Sequence, residues 1–372
     1  MKKIIIAVVL VLTMVFGGVS AYGLKGLDES NTRILAEDGY ARASADAIGG
    51  EVTLSAEILT NIAAGTQYNG LHVTDGYAVF SMEKAFIAGL VAKLNGAAEV
   101  TFDIHYNTDK TAVTFGIKSD KAASLFPESG RCIGELPYTA AKDTENILFM
   151  QNGTGKVIPM CAFYSDGNLL RWQVTAGDTY TVKSREASFS DIKGHWGQSS
   201  IEFLASRGAV SGMGNGTFVP DGTLTRVQFV QFLANISMDD LGAYSSERFT
   251  DVKKTDWFYP AVSWAVTNKI TSGTSETTFS PNDKITREQM TKFVQAFCDY
   301  KGIATTPVRT AMDFADIGNA SDWAKAYVVT AYQMGIINGR GDNRFAPKEN
   351  ATRAEASSVC ARLIAYSLIL PQ

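Results

Sequence analysis

The second half of this chain repeats one pattern three times, and a chain that repeats itself predicts a fold that repeats as well. Each copy opens with Phe-x-Asp, and Trp196, Trp257 and Trp323 mark the same point in each. A glycine follows each tryptophan after 16 residues, a phenylalanine after 22, a proline after 24 and a Thr-Arg arginine after 30. The matching residues are Gly212, Gly273 and Gly339; Phe218, Phe279 and Phe345; Pro220, Pro281 and Pro347; and Arg226, Arg287 and Arg353.

Each copy predicts a helix, a loop and a second helix. Apolar residues follow each tryptophan at helical spacing, and the Phe-x-Pro segment is typical of a turn. The second helix begins with a capping box, S/T-x-x-E/Q. In it, the Ser or Thr side chain accepts from the backbone N–H three residues on, and the Glu or Gln side chain accepts from the backbone N–H of the Ser or Thr. These boxes are Thr225–Gln228, Thr286–Gln289 and Thr352–Glu355. One such unit of about 45 residues cannot bury both of its helices, so we expect the three to share a core around a pseudo-threefold axis.

These motifs resemble the S-layer homology (SLH) domain family. The resemblance places repeats at residues 186–238, 246–302 and 311–366, and it implies an all-α pseudo-trimer of helix–loop–helix units. It also implies non-covalent binding of an acidic, often pyruvylated, secondary cell wall polymer attached to peptidoglycan. By resemblance the polymer ligands are Arg226, Arg287 and Arg353, the groove walls are Trp196, Trp257 and Trp323, and Gly212, Gly273 and Gly339 belong to the same sites.

Two alternatives to these ligand roles stay open. A guanidinium binds a carboxylate bidentately, so each arginine suits an acidic glycan. It equally suits an aspartate of the neighbouring repeat, Asp191, Asp251 or Asp316. The tryptophans are equally compatible with packing in the hydrophobic core and with lining a groove. Only the third repeat keeps the glutamate usual in the family's Thr-Arg-Ala-Glu motif, so anchoring is expected to be uneven among the repeats.

The first half divides into three segments. Residues 1–21 have a basic start, a short apolar run and small residues, which predicts a secretory signal peptide. Residues 22–50 are expected to form a loose or partly helical lead-in. Residues 51–185 predict a β-rich, sandwich-like module with a hairpin over 100–117, strands over 157–182 and one helix over 82–94. The chain is therefore expected to be multidomain, secreted and held at the cell wall or S-layer, without a later membrane span.

Composition and motifs narrow the function further. The formal net charge is −4 and no basic stripe is present, so nucleic acid is not an expected partner. No catalytic, metal-binding or phosphate-binding motif occurs, so we expect no enzyme, no metal and no cofactor. Cys132 and Cys161 are predicted to pair only if their strands are neighbours. The expected function is an anchored surface protein with a structural first half; the alternatives are a displayed wall or polysaccharide hydrolase, or an adhesin, with the activity in residues 51–185.

Overall fold

The two halves of the chain fold differently. The computed structural model describes residues 35–37, 40–44, 49–139, 147–164, 167–310 and 313–369, and the predicted signal peptide over residues 1–21 lies outside them. Within these ranges all the strands precede residue 185, and the six α-helices after that point belong to the three repeats. The prediction of a β-rich first half followed by a helical second half is therefore confirmed.

The first half contains two sheets. One has seven strands in the order β1-β2-β4-β5-β8-β12-β11, and the other has six in the order β10-β9-β13-β7-β6-β3. Only β2 and β4 run parallel among the described pairs. The strands are β1 Leu35–Glu37, β2 Tyr40–Ser44, β3 Glu51–Ser55, β4 Gly70–Thr74, β5 Val79–Glu83, β6 Glu99–Tyr106, β7 Ala112–Ser119, β8 Cys132–Pro137, β9 Ile147–Gln151, β10 Lys156–Ile158, β11 Cys161–Tyr164, β12 Leu169–Val174 and β13 Asp178–Ser184.

Aromatic side chains join the two sheets face to face. Phe80 of β5 stacks on Phe115 of β7 with ring centres 3.9 Å apart. Trp172 of β12 contacts Phe149 of β9 at 4.2 Å and Tyr180 of β13 at 5.7 Å. All five side chains are buried. Alternation along the strands sends every second residue into this shared core, which is the arrangement of a sandwich.

The sequence predictions for the first half succeed where the pattern is local. The expected hairpin is β6–β7, and the expected helix is α2, Lys84–Ala92. A second helix, α1 at Ala56–Ala64, packs beside it and was not predicted. Residues 35–37 and 40–44 lie in the predicted lead-in but form β1 and β2, and β2 is paired with β4, so these two segments are neither loose nor helical.

Each repeat contributes two helices to the second half. All three predicted capping boxes are present, with both reciprocal bonds made in each. Gln228 and Gln289 therefore close their boxes as Glu355 does. The helices are α3 Gln198–Ser206 and α4 Arg226–Ser237 in repeat 1, α5 Tyr259–Thr267 and α6 Arg287–Lys301 in repeat 2, and α7 Asp322–Gln333 and α8 Arg353–Ser367 in repeat 3.

The three repeats share one hydrophobic core, and the first half contributes to it. Ile133, Met160 and Ala162 of the β module are buried in the same cluster as the repeat helices. Arg131 Nη1 donates to the carbonyl of Ser367 at 2.8 Å, near the end of α8. A cation here also offsets the negative end of the helix dipole. The β module and the repeats are therefore packed together rather than joined by a loose linker.

The four cysteines are free and buried. Cys132 lies on β8 and Cys161 on β11, and β12 runs between them. Across that strand, Val174 pairs with Cys132 and Trp172 with Cys161. The strands are not neighbours, so the conditional prediction of a disulfide does not hold. No helix in the described part of the chain combines the length and hydropathy needed to cross a membrane.

Candidate functional site

The aspartate of each Phe-x-Asp opening holds the Phe-x-Pro turn of its own repeat. In repeat 1, Asp191 accepts bonds from the backbone N–H groups of Phe218 at 2.8 Å and Val219 at 2.7 Å. The middle residue of each turn has left-handed backbone, with φ of 59° at Val219. The paired bonds hold that unfavourable conformation in place. The equivalent bonds join Asp251 to Phe279 and Ser280, and Asp316 to Phe345 and Ala346.

The charge of these aspartates is stabilised by the same bonds. Partial burial raises the pKa of Asp191, but the N–H groups of Phe218 and Val219 outweigh it and leave the pKa below its usual value. Asp316 behaves in the same way with the N–H groups of its own turn. A carboxylate that accepts backbone N–H bonds keeps its charge to lower pH.

The three mid-repeat glycines are required because a ring lies against each of them. A Cβ at Gly212 would stand 2.7 Å from the ring of Phe189, and one at Gly273 would stand 2.5 Å from that of Phe249. At Gly339 the distance to the Phe314 ring would be 2.9 Å. Gly273 also has positive φ, which the other two lack. The carbonyl of a following loop residue is equally close in each case, at 2.6 Å for Thr217, 2.5 Å for Thr278 and 2.7 Å for Arg344. A side chain at any of the three positions would therefore meet both the opening phenylalanine and the backbone.

The three Thr-Arg arginines are buried and bind the next repeat in turn. Arg226 Nε donates to the carbonyl of Phe279 at 3.0 Å, in repeat 2. Arg287 Nε donates to Phe345 at 2.7 Å, in repeat 3. Arg353 Nε donates back to Phe218 at 2.8 Å, in repeat 1. Each guanidinium also lies over the ring of the phenylalanine that it bonds. These contacts link repeat 1 to repeat 2, repeat 2 to repeat 3 and repeat 3 to repeat 1.

The arginines and the opening aspartates are linked indirectly. No ion pair within 4.0 Å joins Arg226, Arg287 or Arg353 to the three aspartates among the described residues. Instead, the backbone N–H of each Phe-x-Pro phenylalanine donates to the aspartate of its own repeat, and its carbonyl accepts from the arginine of a neighbouring repeat. The alternative of direct Arg–Asp pairing is therefore not what the structure contains. Burial lowers the pKa of Arg353 to about 10, with the charge of Asp191 opposing the shift.

The three repeat tryptophans are exposed. Their relative exposures are 62% for Trp196, 66% for Trp257 and 46% for Trp323, whereas the other two tryptophans are fully buried. Each lies at or just before the start of the first helix of its repeat, and that helix packs on the second helix of the preceding repeat: α3 on α8, α5 on α4 and α7 on α6. The alternative that these side chains form a core is therefore wrong. An exposed indole costs free energy in water unless a ligand covers it.

One cavity brings together a tryptophan, an arginine and a glycine from three different repeats. It encloses about 640 Å³, and Trp196 of repeat 1, Arg287 of repeat 2 and Gly339 of repeat 3 all line it. By the repeat spacing, the corresponding sets are Trp257 with Arg353 and Gly212, and Trp323 with Arg226 and Gly273. The remaining lining residues are Asp221, Ile337, Asn338, Arg340, Thr352, Glu355, Ser358, Val359 and Arg362.

A cluster of charges forms one side of this cavity. Glu355 accepts from Arg287 Nη1 at 2.7 Å and from Arg340 at 2.6 and 2.8 Å, and Arg340 also binds Glu349. Burial raises the pKa of Glu355, but the bonds from Arg340 and the charge of Arg287 lower it overall. Glu355 therefore stays ionised, and it bonds two arginines while it also closes the capping box of α8.

Sequence reasoning missed Arg340 and Arg362 because they are not repeated. Arg340 takes the position of Met213 and Thr274, and Arg362 that of Asn235 and Ala296. Comparing the repeats for differences, rather than for agreement, would have identified both. No group of three or more His, Cys, Asp or Glu side chains in the described ranges is arranged to hold a metal ion.

Comparison with known proteins identifies the repeats. The S-layer homology domain matches residues 188–230, 248–291 and 313–357, each inside one predicted repeat. The chain is 37% identical over 201 residues to exoglucanase XynX of Acetivibrio thermocellus, covering 54% of this chain and 18% of that protein. It is 30% identical over 179 residues to the surface-layer 125 kDa protein of Lysinibacillus sphaericus, covering 47% and 14%. It is 26% identical over 156 residues to the cellulosome-anchoring protein of Acetivibrio thermocellus, covering 41% and 34%.

The second half of the chain therefore belongs to the S-layer homology domain family, in three copies. A chain with these repeats and with S-layer relatives is a cell-surface protein associated with the cell wall. This chain spans at most about a third of the length of the relatives described above. The exoglucanase matches this chain through the SLH repeats.

Proposed function

We propose that this protein is held non-covalently at the cell wall because its inter-repeat grooves bind an acidic secondary cell wall polymer. The observation that carries the proposal is the cavity that combines Trp196, Arg287 and Gly339 from three repeats. A polysaccharide site needs a flat apolar face for a sugar ring and donors for its oxygens. Trp196 supplies the first and the arginines supply the second.

The roles of the three residue types differ in this proposal. The exposed indoles of Trp196, Trp257 and Trp323 contact the sugar rings. The glycines Gly212, Gly273 and Gly339 contribute to the groove lining, as Gly339 does in the cavity. Arg226, Arg287 and Arg353 form the floor of each groove, where they hold two repeats together and present positive charge to the polymer.

The repeats are proposed to act as a pseudo-trimer. The head-to-tail arginine bonds support this, and so do three short bridges between the starts of the second helices. The bridges join Thr223 to Thr352, Thr225 to Lys284 and Thr286 to Asn350. Since each bridge joins a different pair of repeats, removal of one repeat opens the ring and exposes core side chains of the other two. Polymer binding is expected to be uneven among the grooves, because only repeat 3 has a glutamate in its capping box.

The β module is proposed to be structural and non-enzymatic. Its side chains complete the core of the repeats and it is fixed to the end of α8, which suits a rigid spacer. A displayed hydrolase or an adhesin remains the alternative for this module. Turnover of peptidoglycan or plant polysaccharide by the mature chain would establish the hydrolase, and binding of an external glycan or protein by the β module would establish the adhesin.

The anchoring proposal is tested by sedimentation of the mature chain with purified wall sacculi. We expect binding to intact sacculi and none to sacculi stripped of their secondary polymer. Replacing Trp196, Trp257 and Trp323 together by Ala should abolish sedimentation without lowering the melting temperature, because all three side chains are exposed. Ile369→Ala, at another exposed apolar residue, is the control. Equal binding to stripped sacculi would disprove the proposal.

A further inference from the structure

Two arginines outside the repeat pattern stand beside the cavity between repeats 3 and 1. Arg362, on α8, lines it and makes a single hydrogen bond among the described residues, from Nη1 to the carbonyl of Ile336 at 3.4 Å. Arg309 precedes repeat 3 and binds the adjoining wall, through the carbonyl of Ile337 and the side chain of Asn338. Both guanidinium groups therefore donate to the same short segment, residues 336–338.

Neither of these arginines has an acidic partner among the described residues. No carboxylate within the part of the chain that the structure describes lies within 4.0 Å of Arg309 or Arg362. Burial lowers the pKa of Arg362, and the positive charge of Arg309 lowers it further. Two neighbouring cations with no counter-charge destabilise the free protein, and an anion placed between them removes that cost.

The carboxylates of the cavity do not supply this counter-charge. Glu355 is occupied by Arg287 and Arg340. Asp221 accepts from His195 Nε2 at 3.2 Å. The polar side of the cavity is therefore already paired, and Arg362 is its one lining arginine without a carboxylate among the described residues.

The other two junctions lack this pair. Arg185, just before repeat 1, corresponds to Arg309, because it donates to the carbonyl of Ala205 as Arg309 donates to that of Tyr332. The position of Arg362, however, is taken by Asn235 in repeat 1 and by Ala296 in repeat 2. The junction of repeats 2 and 3 instead has Lys292, 5.5 Å from the ring of Trp323.

We propose that the cavity between repeats 3 and 1 is the principal polymer site, and that Arg362, backed by Arg309, binds one anionic substituent of a sugar whose ring lies on Trp196. The substituent is a carboxylate or a phosphate, since a guanidinium fork matches both. This inference rests on the proposed anchoring function and adds which groove is used and which residues select an acidic sugar. Trp196, Ile337 and Val359 provide the apolar part of the site.

The test measures the affinity of the mature chain for wall sacculi in four single variants. Arg362→Gln should weaken binding about tenfold or more, and Arg309→Gln should weaken it severalfold, because each removes a positive charge from the anion. Arg185→Gln and Lys292→Gln remove equivalent charges at the other two junctions and should leave affinity unchanged. Arg362→Lys keeps the charge and should restore part of the affinity, and melting temperatures identify any variant that misfolds.

The results separate this inference from the anchoring proposal. If the unaltered chain does not bind sacculi, the anchoring proposal fails and this inference fails with it. If the chain binds and Arg362→Gln binds equally well, or if only Lys292→Gln weakens binding, anchoring stands and this assignment is wrong. Amidation of the sacculus carboxylates distinguishes the two anions, because binding that depends on Arg362 disappears for a carboxylate ligand and persists for a phosphate.

Discussion

The three Thr-Arg arginines provide a graded test of what holds the repeats together. Their side chains occupy equivalent buried positions, but these side chains make different numbers of hydrogen bonds to the neighbouring repeat among the described residues. Arg226 makes one, to Phe279. Arg353 makes two, the second from Nη2 to the carbonyl of Ser211 at 2.8 Å. Arg287 makes three, adding Glu355 at 2.7 Å and the carbonyl of Asn338 at 2.7 Å.

Replacing each arginine by Met keeps the aliphatic stem and removes the donors. A hydrogen bond from a charged donor contributes about 1.5–3 kcal/mol, and the buried acceptor left behind adds to its loss. At about 2 kcal/mol per bond, we expect losses in the free energy of unfolding of about 2 kcal/mol at Arg226, about 4 at Arg353 and about 6 at Arg287. The differences between variants are firmer than the absolute values, because burial of the arginine is similar at all three positions.

The assay is urea unfolding of the mature chain, followed by the helical circular dichroism signal in the absence of polymer. In a parallel thermal scan, each kcal/mol of destabilisation should lower the melting temperature of a unit this size by about 2–4 °C. The expected loss is smallest for the Arg226 variant, intermediate for the Arg353 variant and largest for the Arg287 variant. Equal losses at the three positions would refute the idea that the number of these bonds sets the stabilisation. No loss at any position would mean that the arginines serve as polymer ligands alone.

Three further changes are predicted from the repeat loops. Gly273→Ala should cost about 3 kcal/mol in thermal unfolding, because its Cβ would meet the Thr278 carbonyl at 2.5 Å, whereas Gly341→Ala, also at positive φ but with open space around it, should cost about 1 kcal/mol. Val219→Gly should raise the melting temperature, with a gain of about 1 kcal/mol, because a β-branched residue at φ 59° is strained and this one is 44% exposed; an unchanged value would contradict the strain. The folded-state pKa of Asp316 is lowered, so its contribution is complete above the ordinary value of 3.8 and is lost as the pH falls through the lower folded value. Asp316→Asn should remove part of the acid sensitivity seen in unfolding between pH 7 and pH 3, and an unchanged pH profile would exclude this role.

The sequence by itself determined the features that depend on neighbours along the chain. The capping boxes, the hairpin over β6 and β7 and the helix α2 were all predicted, because a cap, a tight turn or an amphipathic face involves residues close in sequence. The repeat spacing also identified the tryptophans, arginines and glycines as one recurring set. The strands β1 and β2 were missed because β2 is stabilised by pairing with β4, about thirty residues further along the chain.

The tertiary structure alone decided what the recurring residues do. Spacing shows that Arg226, Arg287 and Arg353 are equivalent, but only packing shows that each bonds the next repeat, and that their bonds differ in number. Packing likewise leaves the repeat tryptophans exposed while it buries Trp172 and Trp264. The physical reason is that the partners of these side chains come from other repeats, at separations that no local pattern encodes. The absence of a carboxylate beside Arg362 within the described ranges has the same cause, because it is visible only once the neighbouring segments are in place.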